Sequence, residues 1–383
     1  METFQTGCRP DQLPRLIAGQ LDEPTAARLT DHIALCPSCR HELEKLAGSR
    51  SLWSDVQAGL HEKAESLGRS SAAQPLPTDG DDSGVAERED AEFIVEFLEP
   101  SDQAGALGKL GEYDVFGVIG RGGMGIVLKA VQPELGRFVA IKVMSPLLGY
   151  SGAARQRFVR EARAAAAIMH PNVIQIHTVC TSSRLPYLVM PLLACETLQE
   201  RISLQGALGI QETLRIGSQV AAGLAAAHAQ GLMHRDVKPA NVLLEKGVDR
   251  AVLTDFGLAR TADDASLTRS GIVTGTPEYM SPEQALGGPV DTQADLFSLG
   301  CVFYAMLAGR PPFRAESPIA VLRRIVDEAP RPLREVNAEV PEWLAFFVER
   351  LLAKSPQDRF ASAQVVHELL QACLTHLQQP QTH

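Results

Sequence analysis

The residue types best suited to chemistry lie in two short stretches, HRDVKPANVLL at 234–244 and LTDFGLAR at 253–260. Four polar or charged side chains stand there beside strand-like apolar segments: Asp236, Lys238, Asn241 and Asp255. The oxygens of Asn241 and Asp255 suit Mg²⁺, which takes few protein ligands together with phosphate oxygens. Asp236 is then free to accept a proton from a hydroxyl group. The two stretches therefore predict a magnesium-dependent site that acts on a hydroxyl.

A glycine-rich stretch, IGRGGMGIVLKA, has the pattern G-x-G-x-x-G at Gly120, Gly122 and Gly125. By itself the pattern also fits a dinucleotide-binding fold, in which a helix must follow the glycines. Here IVLKAVQ follows, a β-branched and alternating sequence that predicts a strand. We therefore expect the glycines at the tip of a hairpin, where backbone without Cβ atoms can lie over phosphates. A plain hairpin turn is the alternative for this pattern taken alone.

The next strand-like stretch, FVAIKVM, carries Lys142 among Val and Ile residues. A lysine that points off a buried strand needs a counter-charge. Glu161, in the Ala-rich helical stretch RFVREARAAAA, is the candidate. Two ordinary surface charges are the alternative.

A separate cluster near the N-terminus has the spacing H-x3-C-x2-C at His32, Cys36 and Cys39. His32 and Cys36 share a helix face, and Pro37 ends that helix so that the chain can turn and return with Cys39. Tetrahedral zinc needs a fourth ligand, for which Cys8 is the candidate. Structural zinc would supply stability that so short a segment lacks. A redox-active thiol pair, zinc released on oxidation and accidental spacing are the alternatives.

The whole chain has 383 residues, a formal net charge of -10 and 45% hydrophobic residues. This length predicts two or three domains. The negative charge argues against nucleic acid or an anionic membrane as the main partner. No apolar run is long enough for a membrane span, and the N-terminus lacks the pattern of a signal peptide. We therefore expect a soluble, cytoplasmic protein.

Changes of composition divide the chain into three segments. Residues 1–60 contain helical patterns around the cysteines and form the predicted all-α zinc-binding module. Residues 61–108 are rich in Ser, Gly, Pro and acidic residues and are predicted to be a flexible linker. Within that linker, the apolar stretch EFIVEFLEP is expected to be loosely held, with docking on a neighbouring domain as the alternative. Residues 109–378 begin with strand-like alternation and continue with helical patterns, which predicts one large α+β domain.

The large segment resembles the eukaryotic-type Ser/Thr protein kinases in their bacterial form. The motifs quoted above, followed by GTPEYMSPEQ at 275–284 and ADLFSLG at 294–300, occur in that family's order. The resemblance implies the bilobal protein-kinase fold, with a β-rich N-lobe and an α-rich C-lobe. The segment before it resembles the zinc-binding anti-sigma module of bacteria.

The resemblance also implies a role for each matching residue. Lys142 would hold the α- and β-phosphates of ATP and pair with Glu161. Asp236 would be the catalytic base, and Lys238 would steady the transferred phosphoryl group. ATP and Mg²⁺ would contact a further set of positions, the last two of them through the metal: Ile119, Gly120, Gly122, Gly123, Gly125, Val127, Ala140, Lys142, Met190, Leu193, Asn241 and Asp255.

Four residues match positions that shape the substrate lobe in that family: Thr276, Asp295, and Glu283 with Arg359 as a buried ion pair. Asp295 would hydrogen-bond the backbone of the catalytic loop. The hinge departs from the family's usual pattern because Pro191 stands where Glu is common. Proline keeps the backbone carbonyl that adenine would use, and Leu193 would supply the N–H donor.

The stretch between Asp255 and Glu283 has the length of an activation loop and offers several hydroxyls. A phosphate on Thr268 or Ser270 could recruit Arg235 and Arg260 through charge-assisted hydrogen bonds. The alternative is a constitutively ordered loop whose own Asp263 and Asp264 already neutralise these arginines.

The prediction is therefore a bacterial signal-transduction kinase that transfers the γ-phosphate of ATP to Ser/Thr hydroxyls of proteins, including its own. Its partners would be protein substrates and a regulatory protein bound by the zinc module, without nucleic acid. The alternative is a pseudokinase scaffold whose zinc module sequesters a partner such as a sigma factor. The intact set of catalytic residues favours the active enzyme.

Overall fold

The computed structural model describes residues 97–122, 125–145, 152–181, 185–256 and 277–378, together with Thr25. Several predicted residues lie outside these ranges: the zinc ligands Cys8, His32, Cys36 and Cys39, the loop glycine Gly123, and Arg260, Asp263, Asp264, Thr268, Ser270 and Thr276. Across the described part of the chain, no helix is both long and apolar enough to span a membrane.

The first half of the described chain forms a six-stranded antiparallel sheet. Its strands are β1 (Gly108–Leu110), β2 (Tyr113–Gly122), β3 (Gly125–Gln132), β4 (Arg137–Met144), β5 (Thr178–Cys180) and β6 (Tyr187–Pro191), in the spatial order β1-β2-β3-β4-β6-β5. Alternating apolar side chains such as Val115, Leu128 and Ile141 bury one face of the sheet. The strand prediction for this region is confirmed, and so is the hairpin, because Gly122 pairs with Gly125 across the turn.

Helix α1 (Gly152–Ala166) lies between β4 and β5 in the chain. Phe158 and Ala162, four residues apart, pack against Met144 and Leu188 of the sheet. This packing fixes the rotation of the helix and turns Glu161 inward, where it is buried.

The second half of the described chain is mainly helical. Its helices are α2 (Leu198–Gln205), α3 (Ile210–Ala229), α4 (Pro282–Ala285), α5 (Thr292–Ala308), α6 (Pro318–Asp327), α7 (Leu333–Val336), α8 (Glu342–Leu351) and α9 (Ala363–Gln378). A small antiparallel sheet joins β7 (Cys195–Thr197), β8 (Val242–Glu245) and β9 (Ala251–Leu253). Helix α5 is buried from Ala294 to Leu307 and forms the centre of this lobe. The predicted bilobal α+β fold is confirmed.

The stretch EFIVEFLEP is not loosely held over its described part. Glu99 and Lys109 exchange two backbone hydrogen bonds of 2.9 and 2.6 Å. Phe97 and Leu98 pack against the apolar core of the six-stranded sheet. The aromatic and aliphatic side chains find an apolar surface there, so burial outweighs the linker-like composition of the preceding sequence.

Candidate active site

A buried carboxylate, Asp295 at the start of α5, holds the loop that carries HRD. Its two oxygens accept hydrogen bonds from the backbone N–H groups of His234 and Arg235, at 2.8 and 2.7 Å. The Nε2 atom of His228 lies 2.7 Å from Asp295 Oδ2. Burial alone would raise the pKa of the Asp295 carboxyl, but the hydrogen bond and charge of His228 lower it. The loop is therefore tied to a carboxylate that stays ionised, which confirms the hydrogen bonding predicted for Asp295.

Two of the predicted catalytic-loop residues, Lys238 and Asn241, converge on the carboxylate of a third, Asp236. The ammonium of Lys238 lies 2.8 Å from Asp236 Oδ2. The side-chain amide of Asn241 donates to the backbone carbonyl of Asp236 at 2.8 Å and to its Oδ2 at 3.0 Å. Because both bonds use the amide nitrogen, the oxygen of Asn241 is the atom that can turn to a cation.

Lys142 pairs with Asp255, not with Glu161. The lysine Nζ lies 2.7 Å from Asp255 Oδ1. Glu161 Oε1 instead lies 3.9 Å from a guanidinium nitrogen of Arg235. The predicted Lys142–Glu161 pair is not among the ion pairs of the described residues in this conformation, because Lys142 meets Asp255 instead.

One residue of each of these two ion pairs has an unusual backbone conformation. Arg235 and Asp255 have φ values of 64° and 62°, in the left-handed region that non-glycine residues seldom adopt. Burial by itself raises the pKa of the Asp255 carboxyl. The charge and hydrogen bond of Lys142 have the opposite effect, and the net result is a pKa below its ordinary value. The backbone strain at Arg235 and Asp255 persists only where surrounding contacts hold these conformations in place, and strain of this kind is concentrated at functional sites.

An apolar cluster, named the nucleotide slot for its proposed occupant, joins residues of the two lobes. Ala140 and Met190 pair across β4 and β6, and they pack in one cluster with Val252 of the second lobe. Val127, Leu193 and Leu243 lie against the same cluster. Such a slot fits a flat heteroaromatic ring, so these residues can receive the adenine of a nucleotide.

The glycine hairpin forms one side of the same region. Gly120 pairs with Val127, and Ile119 beside it is about half exposed. A Cβ at Gly120 would meet only the Val127 side chain, at 3.7 Å or more. The space beside the Gly120 backbone is therefore open, and a loop that covers phosphates needs such space.

A second buried charge pair braces the helical lobe. Arg359 donates to both carboxylate oxygens of Glu283, at 2.8 and 2.9 Å, and its other N–H groups donate to three backbone carbonyls: those of Ala353, Gln293 and Lys354. All five donors of the guanidinium are thus satisfied, which confirms the predicted Glu283–Arg359 pair. The neighbouring Gln284 donates to the backbone carbonyl of Arg235 at 3.0 Å. The brace and the catalytic loop are therefore in direct contact.

The site fits a magnesium nucleotide by the chemistry of its donors. The backbone of Thr254 donates to the carbonyl of Asn241 at 3.0 Å, which brings one amide oxygen and the carboxylate of Asp255 into adjoining positions. Within the described ranges, no cluster of three or more His, Cys, Asp or Glu side chains could hold a metal. Two oxygen ligands suit Mg²⁺, because that ion keeps water and phosphate oxygens in its shell. Lys142 and Lys238 supply the positive charge that a polyphosphate needs.

Comparison with known proteins agrees with this geometry. The family model described as protein kinase domain matches residues 113–370. The chain belongs to the protein kinase family. A separate zinc-finger family model matches residues 11–40 of this kinase.

Individual bacterial proteins are similar over the same region. A probable serine/threonine-protein kinase PknB of Bifidobacterium longum is 39% identical over 66% of this chain, and serine/threonine-protein kinase PknB of Mycobacterium leprae is 36% identical over 66% of it. The crystal structure of the Mycobacterium tuberculosis PknI kinase domain matches 71% of this chain and 99% of its own, with 28% identity and a TM-score of 0.57. The matches to the two PknB proteins cover only 38% and 41% of those relatives' lengths.

Sequence reasoning missed three contributors to this kinase site. Leu243 joins the nucleotide slot, His228 supports Asp295, and Gln284 holds the catalytic loop. Leu243 follows Asn241 by two residues in an alternating strand, so its position in the strand was a usable signal. His228 and Gln284 act across 67 and 49 residues of sequence, and no local pattern marks them.

Proposed function

We propose that this chain is a Ser/Thr protein kinase that transfers the γ-phosphate of ATP to hydroxyl groups of proteins. The observation that carries the proposal is that Lys238 and Asn241 both contact the Asp236 carboxylate, at 2.8 and 3.0 Å, while Lys142 pairs with Asp255. The names of the similar bacterial kinases support the same substrate class.

Each residue then has a distinct task. ATP with Mg²⁺, when bound, supplies the phosphoryl group that is transferred. Asn241 and Asp255 would hold the ion through their oxygens, and Lys142 would neutralise the phosphates. Asp236 would orient the substrate hydroxyl and accept its proton, while Lys238 would balance charge at the transferred group. In phosphoryl transfer such positioning and charge stabilisation provide most of the catalysis.

Proposals for the rest of the chain rest on sequence. We infer a structural zinc held by Cys8, His32, Cys36 and Cys39, in a module of residues 1–60 that binds a regulatory protein. The zinc-finger match supports His32, Cys36 and Cys39, which fall within residues 11–40. The linker predicted at 61–108 is inferred only as far as residue 96, because Phe97 and Leu98 pack on the sheet of the kinase domain that was predicted at 109–378. The cytoplasm is the inferred location.

The decisive experiment is to incubate the purified full-length chain with ATP and Mg²⁺ and to map phosphorylated Ser and Thr residues by mass spectrometry. Asp236→Asn and Lys142→Met should each lower the rate by at least about 100-fold, in line with the effect of general-base groups. Asp249→Asn is the matched control, because its carboxylate is largely exposed and pairs only at the surface with Arg215. Near-normal phosphorylation by the Asp236→Asn protein would refute the catalytic assignment. An inactive wild-type chain that still binds ATP would instead indicate the scaffold.

A further inference from the structure

A cavity of about 740 Å³ lies on the N-lobe where the described chain begins. Its walls come from the stretch that starts at Phe97, from the end of β1 and from strands β5 and β6. Leu110, Tyr113, Val179 and Tyr187 form the apolar and aromatic part of this lining, and Glu99, Lys109, Glu112 and Thr178 belong to its polar part. The acidic residues of a ligand would therefore have to lie outside the cavity, away from Glu99 and Glu112. The adenine slot uses other residues, since none of Ala140, Met190 and Leu243 lines this cavity.

A basic surface adjoins the cavity on helix α1. The helix sequence GAARQRFVREARAAA holds four arginines and one glutamate. That glutamate, Glu161, is buried and faces Arg235, whereas Arg160 and Arg163 are exposed. Together with Arg155 and Val159 they line a hollow of about 420 Å³. The outward side of α1 therefore presents positive charge around a small apolar centre.

One hydrogen bond links the cavity and the basic surface. The guanidinium of Arg155 donates to the backbone carbonyl of Thr181 at 2.8 Å. Thr181 lines the cavity, and Arg155 lines the hollow on α1. A ligand that combines an apolar part with an acidic part could therefore bind across both.

The chain itself contains such a ligand immediately before Phe97. Residues 82–96 read DSGVAEREDAEFIVE, with six acidic residues and one arginine, and with the apolar triplet Phe93, Ile94 and Val95. The triplet is two to four residues from Phe97, so it need span at most about 14 Å to enter the cavity. Glu87 to Glu92 lie five to ten residues from Phe97 and can reach about 17 to 35 Å, which covers a 15-residue helix about 22 Å long.

We propose that residues 82–96 dock in cis on this surface, with Phe93 to Val95 in the cavity and the acidic residues against Arg160 and Arg163. Charge complementarity and chain continuity both select this segment over a separate partner. Its binding would brace the helix that carries Glu161, so it would regulate the kinase without contacting the nucleotide slot. The inference goes beyond the proposed function, because docking can be measured without ATP.

The test is hydrogen exchange on the full-length chain at low and high salt. Two sets of charge reversals are needed: Glu87→Lys with Glu89→Lys and Asp90→Lys in the segment, and Arg160→Glu with Arg163→Glu on α1. Each set alone should speed exchange of residues 82–96 by about 5-fold at low salt, since exposed ion pairs are individually weak and screened. The combined variant should return to within about 2-fold of the wild-type rate, because the attraction is restored with the signs exchanged.

A matched control carries the same change of charge elsewhere: Arg323→Glu with Arg334→Glu, both exposed on the second lobe. It should leave exchange of residues 82–96 unchanged. The proposal is overturned if reversal on α1 has no effect on the segment, or if the combined variant exchanges as fast as either parent. Protection that rises with protein concentration would show that a second copy supplies the segment, which would also overturn docking in cis.

Discussion

Individual glycines of the G-x-G-x-x-G loop are required for different physical reasons. Gly125 has φ 144°, and a Cβ there would lie 1.9 Å from the backbone carbonyl of Val143. Gly120 lacks both constraints, since its added Cβ would make only ordinary contact. Glycine is thus required at position 125 for β3 to pack against β4, whereas glycine at position 120 leaves space for the phosphates that the loop is proposed to cover.

This contrast predicts unequal effects on stability. Gly125→Ala should lower the free energy of unfolding by about 2 kcal/mol or more, because the clash is with backbone that cannot turn aside. Gly120→Ala should change it by less than about 1 kcal/mol. Urea denaturation of both variants measures the difference, and equal losses would show that the hairpin accommodates the extra methyl.

At the scale of elements, helix α1 and the catalytic loop are linked by the contact between Glu161 and Arg235. Glu161 lies near Arg235, while Lys142 pairs with Asp255. A phosphate that attracts Arg235 would weaken its contact with Glu161 and favour the Lys142–Glu161 pair. Activation would then consist of an exchange of partners among four charged residues.

We therefore expect autophosphorylation at Thr268, Ser270 or both. The double variant Thr268→Ala, Ser270→Ala should lose most activity toward an added protein substrate while it still binds ATP, because the phosphate that recruits Arg235 is absent. Substrate turnover and nucleotide binding are measured in parallel, with Thr375→Ala on α9 as a control hydroxyl far along the chain. Unchanged turnover would refute the switch and leave the kinase assignment intact.

The Glu283–Arg359 brace makes the second lobe sensitive to acid. Burial raises the pKa of Glu283, but the hydrogen bond and charge of Arg359 lower it below its ordinary value of 4.5. The folded state therefore binds its proton less readily than the unfolded state. The stabilisation is fully present above the unfolded pKa and is lost as pH falls through the folded pKa.

Glu283→Gln should cost about 3 kcal/mol of unfolding free energy at neutral pH, because it leaves the buried Arg359 without its counter-charge. The difference from wild type should shrink as the pH is lowered below about 4.5. The control is Glu335→Gln, since Glu335 is exposed and its pair with Arg331 should contribute well under 1 kcal/mol. A difference that is constant between neutral and acidic pH would contradict the ionised pair.

At the scale of the whole molecule, the question is what the segment before the kinase domain adds. Its four predicted zinc ligands include three thiolates and one imidazole, a set that closes a tetrahedral site and leaves no position for substrate. We therefore expect this zinc to be structural, and its effect on phosphoryl transfer to be indirect.

Untagged full-length protein should contain about one zinc per chain. The Cys36→Ser, Cys39→Ser variant should lose it, because two of four ligands are removed. The matched control is Cys180→Ser with Cys373→Ser, which changes two cysteines of the described kinase domain. Elemental analysis by mass spectrometry decides the matter, and full zinc content in the first variant would place the ligands elsewhere.

Much of this protein follows from local pattern. The alternation of β2 to β4 predicted the glycine hairpin and the strand that carries Lys142, because side chains alternate faces along a strand. The residue types of HRDVKPANVLL and LTDFGLAR predicted one magnesium-dependent site that includes Asp236 and Asn241, and the structure brings those two side chains within 3.0 Å. Order and spacing of motifs also sufficed for the bilobal fold and for the family.

Tertiary structure alone decided which carboxylate Lys142 meets and which distant residues support the catalytic loop. The sequence predicted Glu161 as the partner of Lys142, and only the tertiary structure shows that Asp255 lies 2.7 Å from the lysine. His228 and Gln284 join the site from elements that pack together across 67 and 49 residues of sequence. Pairing strength depends on distance and burial, and neither is encoded in the period of any one segment.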